Sequence, residues 1–378
     1  MTTDRQRLTA SHVKVGCPLP GDTYDESGHL LLSVGHVIAS ESQLQTLLSR
    51  GLYVDIAVFQ ARFAEAGCST AHEPRKFDPF LLRDSLKKRL NRALRSLDGE
   101  PEAVVQIREI ADAIHELAST DPEGAIASGL LDDDENYAVR HSVSTAILCN
   151  LTSRALGWPD DRRASLVCAA LSMNAPMLDL QNKLVGQAEA LTPKQQDMVS
   201  HHPEVAAAAL REAGVDDPVW IAAALEHHEH VGGSGYPHGV ARPGKEGQLV
   251  RLADVFGALV SPRGDRKALT PPQAVRSLLL LEAQKPSAAL ASALVQTLGL
   301  FPPGTFVKLA NGEIAVVHRR GGAPNTPMVA SIASATGNPY MKPVRRDTER
   351  KDFAIAGLIP RGKVTTGYDL GVLWVRTI

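Results

Sequence analysis

The spacing of apolar positions changes character three times along the chain. In residues 1–75 the apolar runs are short. Leu30-Leu31-Leu32 follows the turn-forming Asp25-Glu26-Ser27-Gly28 and reads as a strand. Ser40 is placed to cap a helix that continues through Leu48 and stops at Gly51. A serine hydroxyl takes up a free N–H of the first turn, and glycine readily adopts the left-handed conformation that ends a helix. Tyr53 to Phe59 then alternates as a strand would. Residues 60–78 form a polar break that includes His72-Glu73-Pro74-Arg75-Lys76.

From Pro79 the period lengthens. Leu82, Leu86, Leu90, Leu94 and Leu97 recur at three- and four-residue spacing with Arg and Lys between them, the pattern of a basic amphipathic helix. Such a helix can meet a membrane surface or a partner, but packing its leucines on the neighbouring domain is the simpler expectation. A second helix is predicted from Pro101 to Ala118, and residues 136–300 read as successive helices rich in Ala and Leu. Beyond Pro302-Pro303 the short period returns. Phe306–Leu309, Ile314–Val317, Met328–Ala330 and Val372–Val375 read as strands, with turns at Asn311-Gly312 and Gly321-Gly322. The pattern predicts a mainly α protein: a small N-terminal α/β module (1–75), linker helices (76–125), a helical domain (126–300) and a small C-terminal β module (301–378).

Composition narrows this little. The 378 residues, 44% hydrophobic and 22% charged, leave ample chain for more than one buried core. A formal net charge of -2 argues against a generally basic nucleic-acid binder while leaving room for a local anion site. No run approaches the ~20 apolar residues of a membrane span. The opening MTTDRQRL lacks the apolar stretch of a secretory signal. Cys17, Cys68, Cys149 and Cys168 show no CxxC spacing and read as reduced structural thiols, so a cytoplasmic protein is expected.

Candidate chemistry concentrates in Glu226-His227-His228-Glu229-His230-Val231-Gly232-Gly233-Ser234-Gly235-Tyr236-Pro237. Adjacent imidazoles at the end of an apolar helix suit a transition metal, and a glycine-rich turn lets backbone amides approach an anion. By themselves these residues fit a solvated helix end at least as well. The segment is, however, similar to the HHExxDGxGYP signature of the HD-GYP family. Upstream, Tyr137-Ala138-Val139-Arg140-His141-Ser142 resembles the opening helix of that family, and Leu191-Thr192-Pro193 with His202-Pro203 resembles its LTxEE…HP segment. Downstream, Leu252-Ala253-Asp254-Val255-Phe256-Gly257-Ala258-Leu259 resembles its ADVFDAL helix, followed by Arg263 and Arg266-Lys267-Ala268-Leu269. The likeness runs over roughly residues 136–280, with the motifs in the family's order.

That resemblance implies a multi-helix core that hydrolyses cyclic di-GMP at paired metal ions. His202, His227 and His228 match ligands of one ion, His141 and Asp254 match further ligands, and Gly235, Tyr236, Pro237, Arg263 and Arg266 match the ligand-facing loops. The pair that names the family is missing. Met173, Asn174 and Met177 stand where it has His, Asp and Lys, and Gly232 stands where the signature has Asp. A neutral amide cannot supply the charge that bridges two cations. No catalytic residue is therefore expected, and the cofactor is either one transition ion, iron or manganese, at the three histidines or none. Asp179 is close in sequence but should lie on another face, with Pro176 between.

The reading that follows is a catalytically impaired member in bacterial cyclic di-GMP signalling, acting as a ligand sensor or a protein-interaction module. Its alternatives are a phosphodiesterase working with a reduced metal site and a scaffold without nucleotide binding. Cyclic di-GMP or a related dinucleotide and a signalling protein are the expected partners, with neither nucleic acid nor a membrane span.

Overall fold

A computed structural model describes the chain except residues 1–4, 10–11, 14, 17, 20, 39, 60–75, 98–99, 265, 283–284, 365–368 and 378. Cys17, Cys68 and most of the polar break, with His72, thus lie outside the described residues. The chain divides into two units, residues 1–77 with 377–378, and Asp78–Arg376.

The first unit joins β1 (Arg5–Arg7), β2 (Thr23–Tyr24), β3 (Leu30–Leu32) and β4 (Tyr53–Asp55) in the antiparallel order β1-β4-β2-β3, beside helix α1 (Glu41–Arg50). Ser40 accepts the Gln43 N–H, and Gly51 ends the helix at φ 84° with its N–H on the Leu48 carbonyl. Leu8, Leu19, Ile38, Leu44, Leu52 and Val54 form the core. The strand expected to reach Phe59 stops at Asp55, which pairs with Arg5, and Ile56–Val58 turns into a single helical turn, α2. A two-residue strand, β5 (Lys76–Phe77), follows.

The second unit opens with α3 (Pro79–Arg95), whose first N–H groups are taken up by the Asp78 carboxylate. Leu86, Leu90 and Leu94 are buried as the pattern predicts, but so are Arg83 and Lys87, which a basic amphipathic helix should expose. Arg83 pairs with Asp132 and donates to the Arg140 carbonyl (2.9 Å) and Ser144 Oγ (2.6 Å). Lys87 meets Asp132 and Asp134, each at 2.9 Å. Charges leave water only when paired in this way. The helix is thus built into the body through its cations as well as its leucines.

Helices α4 (Pro101–Thr120), α5 (Pro122–Leu130), α6 (Tyr137–Ala155), α7 (Asp160–Ser172), α8 (Leu178–Gly186), α9 (Pro193–Glu212), α10 (Pro218–Glu226), α11 (Lys245–Val260), α12 (Pro271–Glu282) and α13 (Ala288–Leu298) follow. The central helix α6 is buried on nearly every side, so it shows little amphipathic period. Cys149 and Cys168 are buried free thiols, and burial pushes Cys168 up to about 12.

The C-terminal segment is an antiparallel sheet of β6 (Phe306–Leu309), β7 (Ile314–Arg319), β8 (Met328–Ala333), β9 (Pro339–Asp347) and β10 (Ile355–Leu358), in the order β10-β6-β7-β8-β9. Val372–Val375 is not a strand. Asp369 accepts the Gly371 N–H and starts a 3-10 turn over Leu370–Leu373, which tucks Trp374 beneath the sheet with its indole N–H on the His318 carbonyl (3.0 Å). Strand β9 is polar and holds Pro339 and Pro343, tolerable only at the sheet edge it occupies. Arg361 donates to the carbonyls of Leu130 (3.2 Å) and Asp132 (2.8 Å) at the open end of α5, and Arg320 pairs with Glu123 (2.8 Å). The sheet is thereby fastened to the helices of the same unit.

Candidate metal centre and ligand site

Three imidazoles converge where α9 meets the end of α10. Thr192 and Gln195 form a reciprocal capping box that starts α9, and Asp217 accepts the Val219 and Trp220 N–H groups to start α10. Pro203 lies inside α9 and has no N–H, so the Val199 carbonyl four residues earlier loses its usual helical donor. The His202 Nδ1–H fills that place, donating to Val199 at 2.7 Å. His227 does the same at the end of α10, its Nδ1–H on the Ala224 carbonyl at 2.6 Å. A carbonyl only accepts, so in both rings the hydrogen sits on Nδ1 and Nε2 keeps its lone pair.

These two Nε2 atoms face each other at 3.0 Å, and the ligand atoms of His202, His227 and His228 all lie within 4.8 Å of one another. Burial, then the neighbouring His227, pushes His202 down to about 3. Burial also lowers His227 and His228. Neutral imidazoles turning lone pairs on one another repel, and a cation between them removes the repulsion. Backbone-anchored Nδ1–H groups are also the usual way a protein orients metal-binding histidines. The donor set therefore fits one transition ion.

Fewer donors remain for a second. His141 Nε2 is 2.6 Å from Asp254 Oδ1, so these two residues satisfy each other. Tyr137 stacks on the His141 ring at 5.2 Å, with its hydroxyl 3.4 Å from Nδ1. Burial opposes the Asp254 charge, but the His141 hydrogen bond and the nearby His228 and His227 hold the carboxyl below its usual range. Helix α11 comes this close because residue 257 is glycine; a Cβ there would lie 2.9 Å from the His141 ring.

Helix α7 ends at Ser172, whose hydroxyl accepts the Trp220 indole N–H at 2.8 Å. Met173, Asn174 and Met177 follow, all buried, with Ala175–Met177 in a 3-10 turn. The Asn174 side-chain oxygen is buried with no hydrogen-bond partner among the described residues. Asp179 is exposed and pairs with Arg95 at 2.7 Å, so it supplies no substitute carboxylate.

The glycine-rich loop forms one wall. A Cβ on Gly235 would come within 2.5 Å of Glu229 Cα and the His228 carbonyl, so only glycine allows this approach. The Glu229 carboxylate accepts the N–H groups of His238 (2.8 Å) and Val240 (2.9 Å) and holds the loop closed. Tyr236 stacks on His228 at 4.5 Å, and Pro237 follows it through a cis bond. Arg263, on the loop after α11, lies at the Tyr137 hydroxyl, whose pKa burial raises. Arg266 is exposed, and its guanidinium donates to the Ala258 carbonyl at 2.8 Å, which commits part of it to closing α11. Tyr137 and Glu229 were not singled out by the sequence reasoning. The signal for Tyr137 is its place one helical turn before His141, and for Glu229 its position directly after the paired histidines.

This helical core with its inward imidazoles is an HD domain: residues 126–285 match that family. Together with the ordered motifs and the relatives that follow, this match supports a likeness to the HD-GYP family. A cyclic di-GMP phosphodiesterase of Pseudomonas aeruginosa is 24% identical over 241 residues, 63% of this chain and 58% of that protein. The cyclic di-GMP phosphodiesterase PdeB of Borreliella burgdorferi is 22% identical over 200 residues, 52% of each chain. The matched regions thus span little more than half the length of these relatives. Among solved structures, Bd1817, an HDG"Y"P protein from Bdellovibrio bacteriovorus, shares the fold at a TM-score of 0.50 and 16% identity, over 78% of this chain and 99% of its own. Among the described residues no helix is long and apolar enough to cross a membrane.

Proposed function

We propose that this chain is a catalytically impaired HD-GYP protein that binds cyclic di-GMP or a related cyclic dinucleotide and reports its presence to a protein partner in the cytoplasm. The observation that carries the reading is the buried Met173-Asn174 pair, together with the closed His141–Asp254 contact. Asn174 offers no carboxylate, and Asp254 is engaged by His141. The relatives named as cyclic di-GMP phosphodiesterases support the ligand class. Iron or manganese held by His202, His227 and His228 would supply a fixed positive charge for a phosphate oxygen. Tyr236 keeps His228 oriented by stacking, and Arg263 stands at the Tyr137 hydroxyl with donors for a phosphate. Isothermal titration with cyclic di-GMP, with and without added manganese, tests the reading: saturable binding is expected, and its absence at millimolar ligand contradicts it.

The second reading is a phosphodiesterase that works with one ion. The inward lone pairs of His202 and His227 favour it, because they leave a single site fit for metal. Turnover by the wild type separates the two.

A further inference from the structure

We propose that the cavity between the helical core and the C-terminal sheet receives a nucleobase of the bound dinucleotide, so that the sheet itself contacts the ligand. The inference rests on the proposed binding function and adds to it where the ligand extends. The cavity measures about 1070 Å³. Ligand pockets commonly run to roughly 300–1,000 Å³, so a nucleotide unit fits. Tyr137, His141 and Phe256 line it from the helical core, and Phe306, Ile359 and Arg361 line it from the sheet segment. His141 and the C-terminal module therefore line one cavity.

The chemistry of that wall is graded. Most carboxylates along it are already used: Asp132 holds Arg83 and Lys87, and Asp78 and Asp369 accept backbone N–H groups. Two cations remain without a carboxylate among the described residues. Arg140 donates to the Asp132 carbonyl and stands over the Tyr137 ring at 5.5 Å, and Lys267 is exposed on the loop that carries Arg263. Arg140 and Lys267 thus stand at the Tyr137 end, on a wall that also carries Asp133, Asp134 and Glu135. Phe80 and Phe306 supply aromatic surface at the sheet end. Phosphate at the first and a flat base at the second match the two ends of a nucleotide.

The sheet is positioned to register occupancy. Phe80 packs on Trp374 at 5.6 Å between ring centres, and Trp374 is fixed to His318 of β7 by its indole N–H.

Hydrogen exchange on the full chain, with and without cyclic di-GMP, tests the assignment, alongside titration of Gly362→Trp. Gly362 lines the cavity at its exposed rim, and a Cβ there meets nothing within 4 Å, so the bulky variant should fold and narrow the entrance. Protection is expected over residues 304–309 and 355–364 as well as 137–141. Gly362→Trp should weaken binding by about tenfold or more, while its manganese content stays at the wild-type level. Wild-type binding that protects only residues 137–141, 228–237 and 254–267, with an unaffected Gly362→Trp, overturns the cavity assignment and leaves the function standing. Failure of the wild type to bind cyclic di-GMP at all overturns both.

Discussion

At the residue scale the site turns on where hydrogens sit. Pro203 frees the Val199 carbonyl, His202 donates to it, and the remaining lone pair turns toward His227. Removing one imidazole of the three removes a ligand, so His227→Ala should cut manganese affinity by at least about tenfold, read by elemental analysis after dialysis. Unchanged metal content would show that these histidines are core residues only. Gly235→Ala forces a Cβ to within 2.5 Å of backbone at Glu229 and His228. It should lower stability by about 1–3 kcal/mol in a thermal melt and release Tyr236 from His228. The histidines, Asp254, the glycine loop and the lost pair were legible because each is a short run of residue types tied to one chemistry. The mutual bond of His141 and Asp254 was not, since 113 positions separate them in sequence. Gly232 adds a constraint on any repair, because it lies at φ 98°, where an aspartate would be strained.

At the element scale, helices were legible and the C-terminal sheet only in part. The leucine spacing of α3 gave its core face, but the burial of Arg83 and Lys87 depends on Asp132 and Asp134, which lie beyond two intervening helices. Strands β9 and β10 lacked an alternating signal: the first is a polar edge strand with two prolines, the second is the short, unbroken apolar run Ile355-Ala356-Gly357-Leu358. The buried His318 gives this module a pH response. Burial pushes its imidazole down from 6.5 to about 4, aided by Arg319, Arg345 and Arg376, while the Leu373 carbonyl it donates to works the other way. Between those values the unfolded chain takes up a proton that the native state refuses. Stability is therefore retained above pH 6.5 and falls as pH drops toward 4, by up to about 3 kcal/mol from this group. In urea unfolding at a series of pH values, His318→Gln should lose less stability over that window than wild type. Equal losses would mean that His318 takes up its proton in the folded state.

At the scale of the whole molecule, a helical scaffold similar to that of the HD-GYP family surrounds a segment, Met173-Asn174, that carries no charge. Core helices, capping residues and the loop closed by Glu229 are intact, and on the function proposed above this shape accepts a cyclic dinucleotide without cleaving it. Met173→His with Asn174→Asp should raise metal content before it raises activity, because Met177 and Gly232 still lack the cation and carboxylate the family has there, and the strain at position 232 stands in the way of a fourfold repair. Two equivalents of metal per chain in the double variant against at most one in wild type, by elemental analysis, is the expected pattern. Equal content in both would mean that position 174 does not face the ion site. The most direct measurement is cyclic di-GMP hydrolysis by the wild-type chain with manganese or iron supplied. No product above background is expected, because no carboxylate bridges two cations to form a hydroxide near neutral pH. Clear hydrolysis by the wild type, abolished by His228→Ala, would contradict the account and show that the three-histidine site alone supports turnover.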